Sequence, residues 1–176
     1  MTSLFLGITL VNLLLLCVTA GLGFAHNRPM HVLAGALATL VCCGVHCVVF
    51  TYFIATAKWI QHAVAVKKLD SKFIDPTRSF KMQAFPAALL AMGSVFVAAV
   101  LGAARDNYPI SPIYHYVPAL LAVLINALVA IVEYRAIARN GQLIDSILAA
   151  ASATGARIDA QASAGEHAAR VPKSPL

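Results

Sequence analysis

The stretch HVLAGALATLVCCGVHCVVFTYFIATAKW, residues 31–59, carries no charged side chain before Lys58. It is longer than the roughly 20 apolar residues that cross a bilayer. A backbone in lipid must satisfy its own hydrogen bonds, so the stretch reads as a membrane helix. It is not uniformly apolar, since it also holds His31, His46, Cys42, Cys43, Cys47, Thr39, Thr51 and Thr56. At about 100° and 1.5 Å per residue, His31 and His46 lie about 60° apart around a helix and about 22 Å apart along it. Both face one interior, on a stripe shared with Gly35, Ala38, Thr39, Cys42, Val49, Phe53 and Thr56. This small, polar side looks toward protein, and the Leu, Val and Phe side toward lipid.

The rest of the chain has the same character. Of its 176 residues 60% are hydrophobic and 11% charged, and the mean hydropathy is +0.80, outside the soluble balance. The net charge of +6 flanks apolar spans, where it is a topology signal and not a nucleic-acid footprint. Cys17 and the three cysteines above all fall inside spans and act as small apolar residues, without a disulfide framework. The opening MTSLFLGITLVNLLLLCVTAGLGFA lacks a basic n-region and is too long for a signal-peptide core, so it reads as a retained span. Leu16 before Cys17 is too bulky for lipoprotein cleavage.

Four spans are predicted, about residues 4–25, 31–59, 84–103 and 114–137. Asn12 is the only strongly polar interior residue of the first. His26, Asn27, Arg28 and Pro29 form a short turn, and Lys58 with Trp59 marks an interface. The connection 60–84 carries Lys67, Lys68, Lys72, Arg78 and Lys81 against Asp70 and Asp75, an excess that puts it in the cytoplasm. A helix running out of the second span continues there as an interfacial helix until Pro76 interrupts it. Phe85 and Pro86 start the third span, and ARDNYPISPIYHY is a second outer loop in which Arg105 and Asp106 nearly cancel. Tyr134 and Arg135 end the fourth span, with Asn140-Gly141 as a helix stop. Residues 141–176 are then a cytoplasmic tail, a short surface helix over 142–151 followed by an Ala, Ser and Gly segment too poor in bulky apolar surface to order. No internal repeat is visible. The expected fold is all-α, an up-down-up-down four-helix transmembrane bundle with both termini cytoplasmic.

In such a bundle the second and fourth helices are parallel and face each other diagonally. His115, Ala119, Ala122, Asn126, Ala130 and Glu133 share a face of the fourth span. His31 and His115 both lie near the start of their spans and therefore at similar depth. Two neutral imidazoles so placed supply both axial ligands of a haem iron, with Gly35 and Ala119 one turn inward leaving room for the macrocycle. This layout resembles the cytochrome b superfamily, in which the second and fourth helices of a four-helix unit contribute histidines to two stacked haems. The resemblance implies haem b as cofactor, with His31 and His115 as the outer pair. The inner pair is incomplete, because Val129 and Ala130 occupy the depth of His46 on the fourth span. The competing reading is two interfacial histidines bonded only to headgroups, water or backbone.

His46 and Glu133 form a separate signal. An ionisable group within hydrocarbon normally faces the bundle interior and has a partner. The two lie about one turn apart in depth, and Glu133 is near enough to the inner boundary to meet water or Arg135 instead. Asn126 and Thr39 extend a polar chain outward from them, either as a proton or ion pathway or as interhelical glue. Cys42 and His46 at i, i+4 make at most a half-site for copper or zinc, because no second pair closes it. The runs HCVVFTYFIATAKW, KMQAFPAALLAM and VEYRAIARNGQLID resemble a family of uncharacterised four-span bacterial membrane proteins over most of residues 30–147. That resemblance implies the architecture and a bacterial cytoplasmic (inner) membrane, and no activity. The sequence thus points to a haem b protein or electron-transfer subunit, with a haem-free accessory subunit, or a proton or ion pathway through His46 and Glu133, as the alternatives. Its partners would be lipid and other membrane subunits or a second copy, and catalysis would belong to a partner.

Overall fold

The computed structural model describes the backbone of residues 2–170. Within them the chain is all-α, with helices α1 (Thr2–Phe24), α2 (Arg28–Lys67), α3 (Asp75–Asn107) and α4 (Ile113–Arg170) and a 3-10 turn at Ser71–Phe73. The turns follow from local chemistry. His26 takes the left-handed conformation at φ 57°. Asn27 then caps α2 by accepting from the Met30 amide at 3.4 Å, and Pro29 occupies the first turn, where no amide is needed. Lys68, at φ 51°, closes α2, and the amides of Lys68 and Leu69 bond back to the carbonyls of Ala65 and Val64. Asp70 caps the 3-10 turn through the Lys72 amide at 2.9 Å. That bond, and then the Lys72 ammonium, hold the Asp70 carboxyl below its ordinary range.

Three expectations about boundaries are corrected here. The helix leaving the second span stops at Lys67, and Pro76 starts α3 in its first turn, where a missing N–H is harmless. Pro86 lies inside α3, not at its start; membrane helices tolerate interior proline. Asn140-Gly141 does not stop α4, which continues to Arg170; residues 171–176 of the expected tail lie outside the described residues. The helix persists past Gly141 because Leu143, Ile144 and Ile147 pack on Ile60 and Val64 of α2 and on Leu69, Phe73 and Ile74.

Helices consecutive in sequence lie side by side, α1 closes on α4, and α2 meets α4 across the diagonal more closely than α1 meets α3. The buried face of α2 recurs as Ala38, Cys42, Val45, Val49, Phe53, Ala57, Ile60 and Val64. That of α3 recurs as Phe80, Ala84, Ala88, Ala91, Val95 and Ala98. Spacings of three and four residues are those of left-handed bundle packing. The core is layered along its axis. At one end, here the histidine end, lie Leu16, Ala38, Cys42, Val95, Ala98 and Ala122. Further in come Phe5, Val49, Phe53, Phe80, Ala84, Ala136 and Ile137. The layer around Ile60, Val64 and Ile147 closes the other, basic end, beyond the start of α1. Polar side chains occupy the gaps between these apolar layers.

Only 22–28% of the most apolar window of each helix is buried within the bundle. Leu10, Leu33, Leu40, Leu89, Phe96 and Leu128 are all exposed. An apolar belt of that extent marks a lipid-facing surface, and all four helices are long and apolar enough to cross a membrane.

Candidate functional site

Two layers of the bundle bring titratable side chains together. At the histidine end, His31 follows the α1–α2 turn and His115 follows the α3–α4 turn. Because α2 and α4 run in the same direction and meet diagonally, the two rings come together, with centroids 5.8 Å apart and planes at 77°. Each ring is seated in the same manner on the preceding helix. His31 Nδ1 lies 2.8 Å from the Thr19 carbonyl, and its ring covers Gly23, one turn on, where a Cβ would stand 3.1 Å from it. His115 Nδ1 lies 3.0 Å from the Ala98 carbonyl, and its ring covers Gly102, again one turn on, where a Cβ would stand 3.0 Å away. A carbonyl only accepts, so Nδ1 is the protonated nitrogen in both rings and Nε2 carries the lone pair when the ring is neutral. The two hairpins thus repeat a device that their sequences do not.

Phe24, Tyr116 and Arg105 cover this end. The Phe24 and Tyr116 rings are 6.0 Å apart, and the Arg105 guanidinium stands 5.3 Å from the Tyr116 centroid and donates to its hydroxyl at 3.5 Å. A narrow cleft between α1 and α4, with about 20 Å³ of free space, reaches the histidines and is lined by Ala20, Gly23, Phe24, Tyr116, Ala119 and Leu120. Gly35, one turn inward, packs on Thr19.

The second layer lies between the two apolar clusters of the membrane region. His46 Nδ1 is 2.8 Å from Glu133 Oε1, and the two side chains are 3% and 1% exposed. Glu133 is therefore turned to His46 and not to water or Arg135. Asn126 joins the pair through a long contact, Oδ1 to His46 Nε2 at 3.5 Å. Its Oδ1 also accepts from Asn12 Nδ2 and from Cys42 Sγ, each at 3.3 Å. Thr39 does not take part; its hydroxyl donates to the Gly35 carbonyl of its own helix at 2.8 Å. Cys42 is a buried donor, whereas Cys17 and Cys47 are exposed. Among the described residues no three His, Cys, Asp or Glu side chains group to hold a metal ion.

Several members of these layers were not singled out by sequence reasoning. Asn12 was noticed as the polar residue of its span, without a partner. Thr9 is buried beside it on α1. Asn140, read as a helix terminator, is 1% exposed and donates to Tyr52 Oη at 3.0 Å and Thr56 Oγ1 at 3.1 Å. Its position seven residues after Glu133, on the same face, was the available signal. No protein-family model matches this chain, and neither a curated protein nor a solved structure does.

Proposed function

We propose that this membrane protein is a b-type haem electron-transfer subunit, with His31 and His115 as the axial ligands at its histidine end. The observation that carries the reading is the pairing of two rings from diagonal helices, each with Nδ1 committed to a carbonyl. Such a bond fixes the tautomer, aims Nε2 and makes it more basic, which is the usual support for a metal-bound histidine. A metal at this end would be held by Nε2 of His31 and of His115, whose ring centroids stand 5.8 Å apart. Two protein ligands alone leave zinc or copper short of a full set. A metal that brings its own equatorial nitrogens is satisfied by two, which favours haem over a bare ion.

Ala20 and Ala119 keep the lining slim beside the rings, while Gly23 and Gly102 are already covered by the imidazoles. The cleft, at about 20 Å³, is far below the roughly 300–1,000 Å³ of ordinary ligand pockets, so haem would enter only if the helix ends parted widely. Haem supplies a reversible one-electron couple. The chain's own residues hold the ligating nitrogens in place, Phe24 and Tyr116 cover them, and Arg105 offers a guanidinium to carboxylates at the rim. The excess of Lys and Arg at the basic end supports an orientation with that end and both termini in the cytoplasm of a bacterial inner membrane. The histidine end would then meet a quinol or an outer redox partner.

A second reading is favoured by the edge-to-face contact of the two rings. In it, His31 and His115 are carbonyl-bonded pins that lock the hairpins of a haem-free accessory subunit. The absorption spectrum of protein purified from haem-replete cells separates the two. A low-spin Soret and alpha band that disappears in His31→Ala and His115→Ala, with helical circular dichroism retained, is the expected result. A colourless, folded wild-type protein overturns the haem reading in favour of the second.

A further inference from the structure

The orientation of Asn126 fixes the protons of the central layer. Its Nδ2 donates to the carbonyls of Ala122 at 2.9 Å and Ala91 at 3.4 Å, and carbonyls only accept. Its Oδ1 therefore faces Asn12 Nδ2, Cys42 Sγ and His46 Nε2, and each of them approaches as a donor. His46 Nε2 thus carries a hydrogen. On the other side of the ring, Nδ1 and Glu133 Oε1 are 2.8 Å apart, and two bare lone pairs do not approach so closely. One proton lies between them, whether as imidazolium and carboxylate or as imidazole and carboxylic acid. The pair is neutral overall in either form.

A second, independent observation lies on α1. The hydroxyls of Thr19, Thr39, Thr51 and Thr56 all bond the carbonyl four residues back in their own helices, the usual resort of a threonine in an apolar helix. Thr9 does not. Its Oγ1 is buried without a partner, as is Asn12 Oδ1 one turn away. The amide of that same Asn12 is bonded into the cluster. Two orphaned oxygens at one edge of a polar layer are the setting that an internal water fills.

We propose that His46 and Glu133 form a proton-exchange site in the membrane interior, reached through water held by Thr9 and Asn12. On release, the proton between Nδ1 and Oε1 passes to that water as hydronium, leaving neutral His46 protonated on Nε2 and a Glu133 carboxylate. On uptake, hydronium returns it. Asn126 keeps the Nε2 hydrogen in place, so only the Nδ1 side exchanges. Among the described residues no other acid or base is buried apart from His115 at the histidine end; of the elements packed in this layer, α1 carries Thr9 and Asn12, α3 the alanines of its buried face and α2 the Cys42 thiol. Apolar layers that include Phe5 and Leu16 of α1 lie on both sides along the bundle axis, so exchange with bulk water is slow. The inference does not depend on the histidine end or on haem.

Infrared difference spectra of the full chain in lipid nanodiscs, between acidic and alkaline buffer in H2O and D2O, test this directly. The expected result is a Glu133 difference band, carboxyl to carboxylate or a carboxylate stretch shifted as its hydrogen bond to His46 is lost, that is sensitive to deuterium and absent in Glu133→Gln. In Thr9→Val, deuterium exchange of that band should slow at least tenfold. A spectrum unchanged in Glu133→Gln, or wild-type exchange in Thr9→Val, overturns the proposal. Should Glu133→Gln not fold, nitrogen NMR of histidine-labelled wild type decides. A buried imidazole that titrates at Nδ1 while Nε2 stays protonated supports the site, and a buried imidazole invariant with pH refutes it.

Discussion

Gly23 and Gly102 matter for what stands against them. Each gives an imidazole a flat seat and leaves the carbonyl one turn back open to its Nδ1. In Gly102→Ala the new methyl meets the His115 ring at 3.0 Å, so either the ring or α3 must shift. Overpacking of this kind costs about 1–3 kcal/mol. Reversible unfolding in detergent should show that loss for Gly102→Ala and none for Gly93→Ala, whose Cβ would meet nothing within 4 Å. Asn126→Leu strips one acceptor from three donors on two helices. At about 0.6–1.7 kcal/mol per interhelical bond in a membrane, a loss of about 2–4 kcal/mol is expected in the same assay. The histidines themselves were legible, because depth along parallel helices follows from residue count. Their seats were not. Sequence placed Gly35 beside His31 on the same helix, whereas the glycine that matters comes from α1, and a contact across helices depends on a register set by turn geometry.

Among the elements, α3 shows why a helix can be essential to a buried layer to which it lends only backbone carbonyls. Its buried face carries Ala84, Ala88, Ala91 and Ala98, and that smallness lets α4 approach until Asn126 and His115 reach the carbonyls of Ala91 and Ala98. Ala91→Leu should push the two helices apart and break both bonds, costing about 1–3 kcal/mol or more. Leu89→Ala and Leu90→Ala, at 60% and 57% exposure toward lipid, should leave detergent unfolding unchanged. Apolar length located all four elements and underestimated three of them, because hydropathy marks where a helix meets lipid and not where it ends. Pro76 and Gly141 were read as breaks on local propensity alone. Pro76 begins a helix, and Gly141 is carried through one by the packing of Leu143 and Ile147 on α2.

For the whole molecule, the unequal helix lengths divide the bundle in two. At 1.5 Å per residue, α1 extends about 35 Å and α2 about 60 Å, so α2, α3 and α4 continue beyond the start of α1. There α2 and α4, with Leu69, Phe73 and Ile74 of the α2–α3 connection, build a collar around Ile60, Val64 and Ile147. The Asn140, Tyr52 and Thr56 bonds stand at the junction between collar and membrane bundle. The collar is thus held by α4 residues up to Ile147, the last fully buried side chain among the described residues. Deleting everything after Thr154 should leave thermal unfolding in detergent unchanged, since no described side chain after Ile147 is buried. Deleting everything after Arg139 removes Asn140, Leu143 and Ile147 and uncovers Ile60 and Val64, each buried at 0% and 6% exposure. Fully uncovering two such side chains costs about 1.5–3 kcal/mol apiece, enough to lower the midpoint sharply. Equal midpoints for the two truncations would mean that the collar adds no stability and that the membrane bundle holds α2 and α4 together by itself.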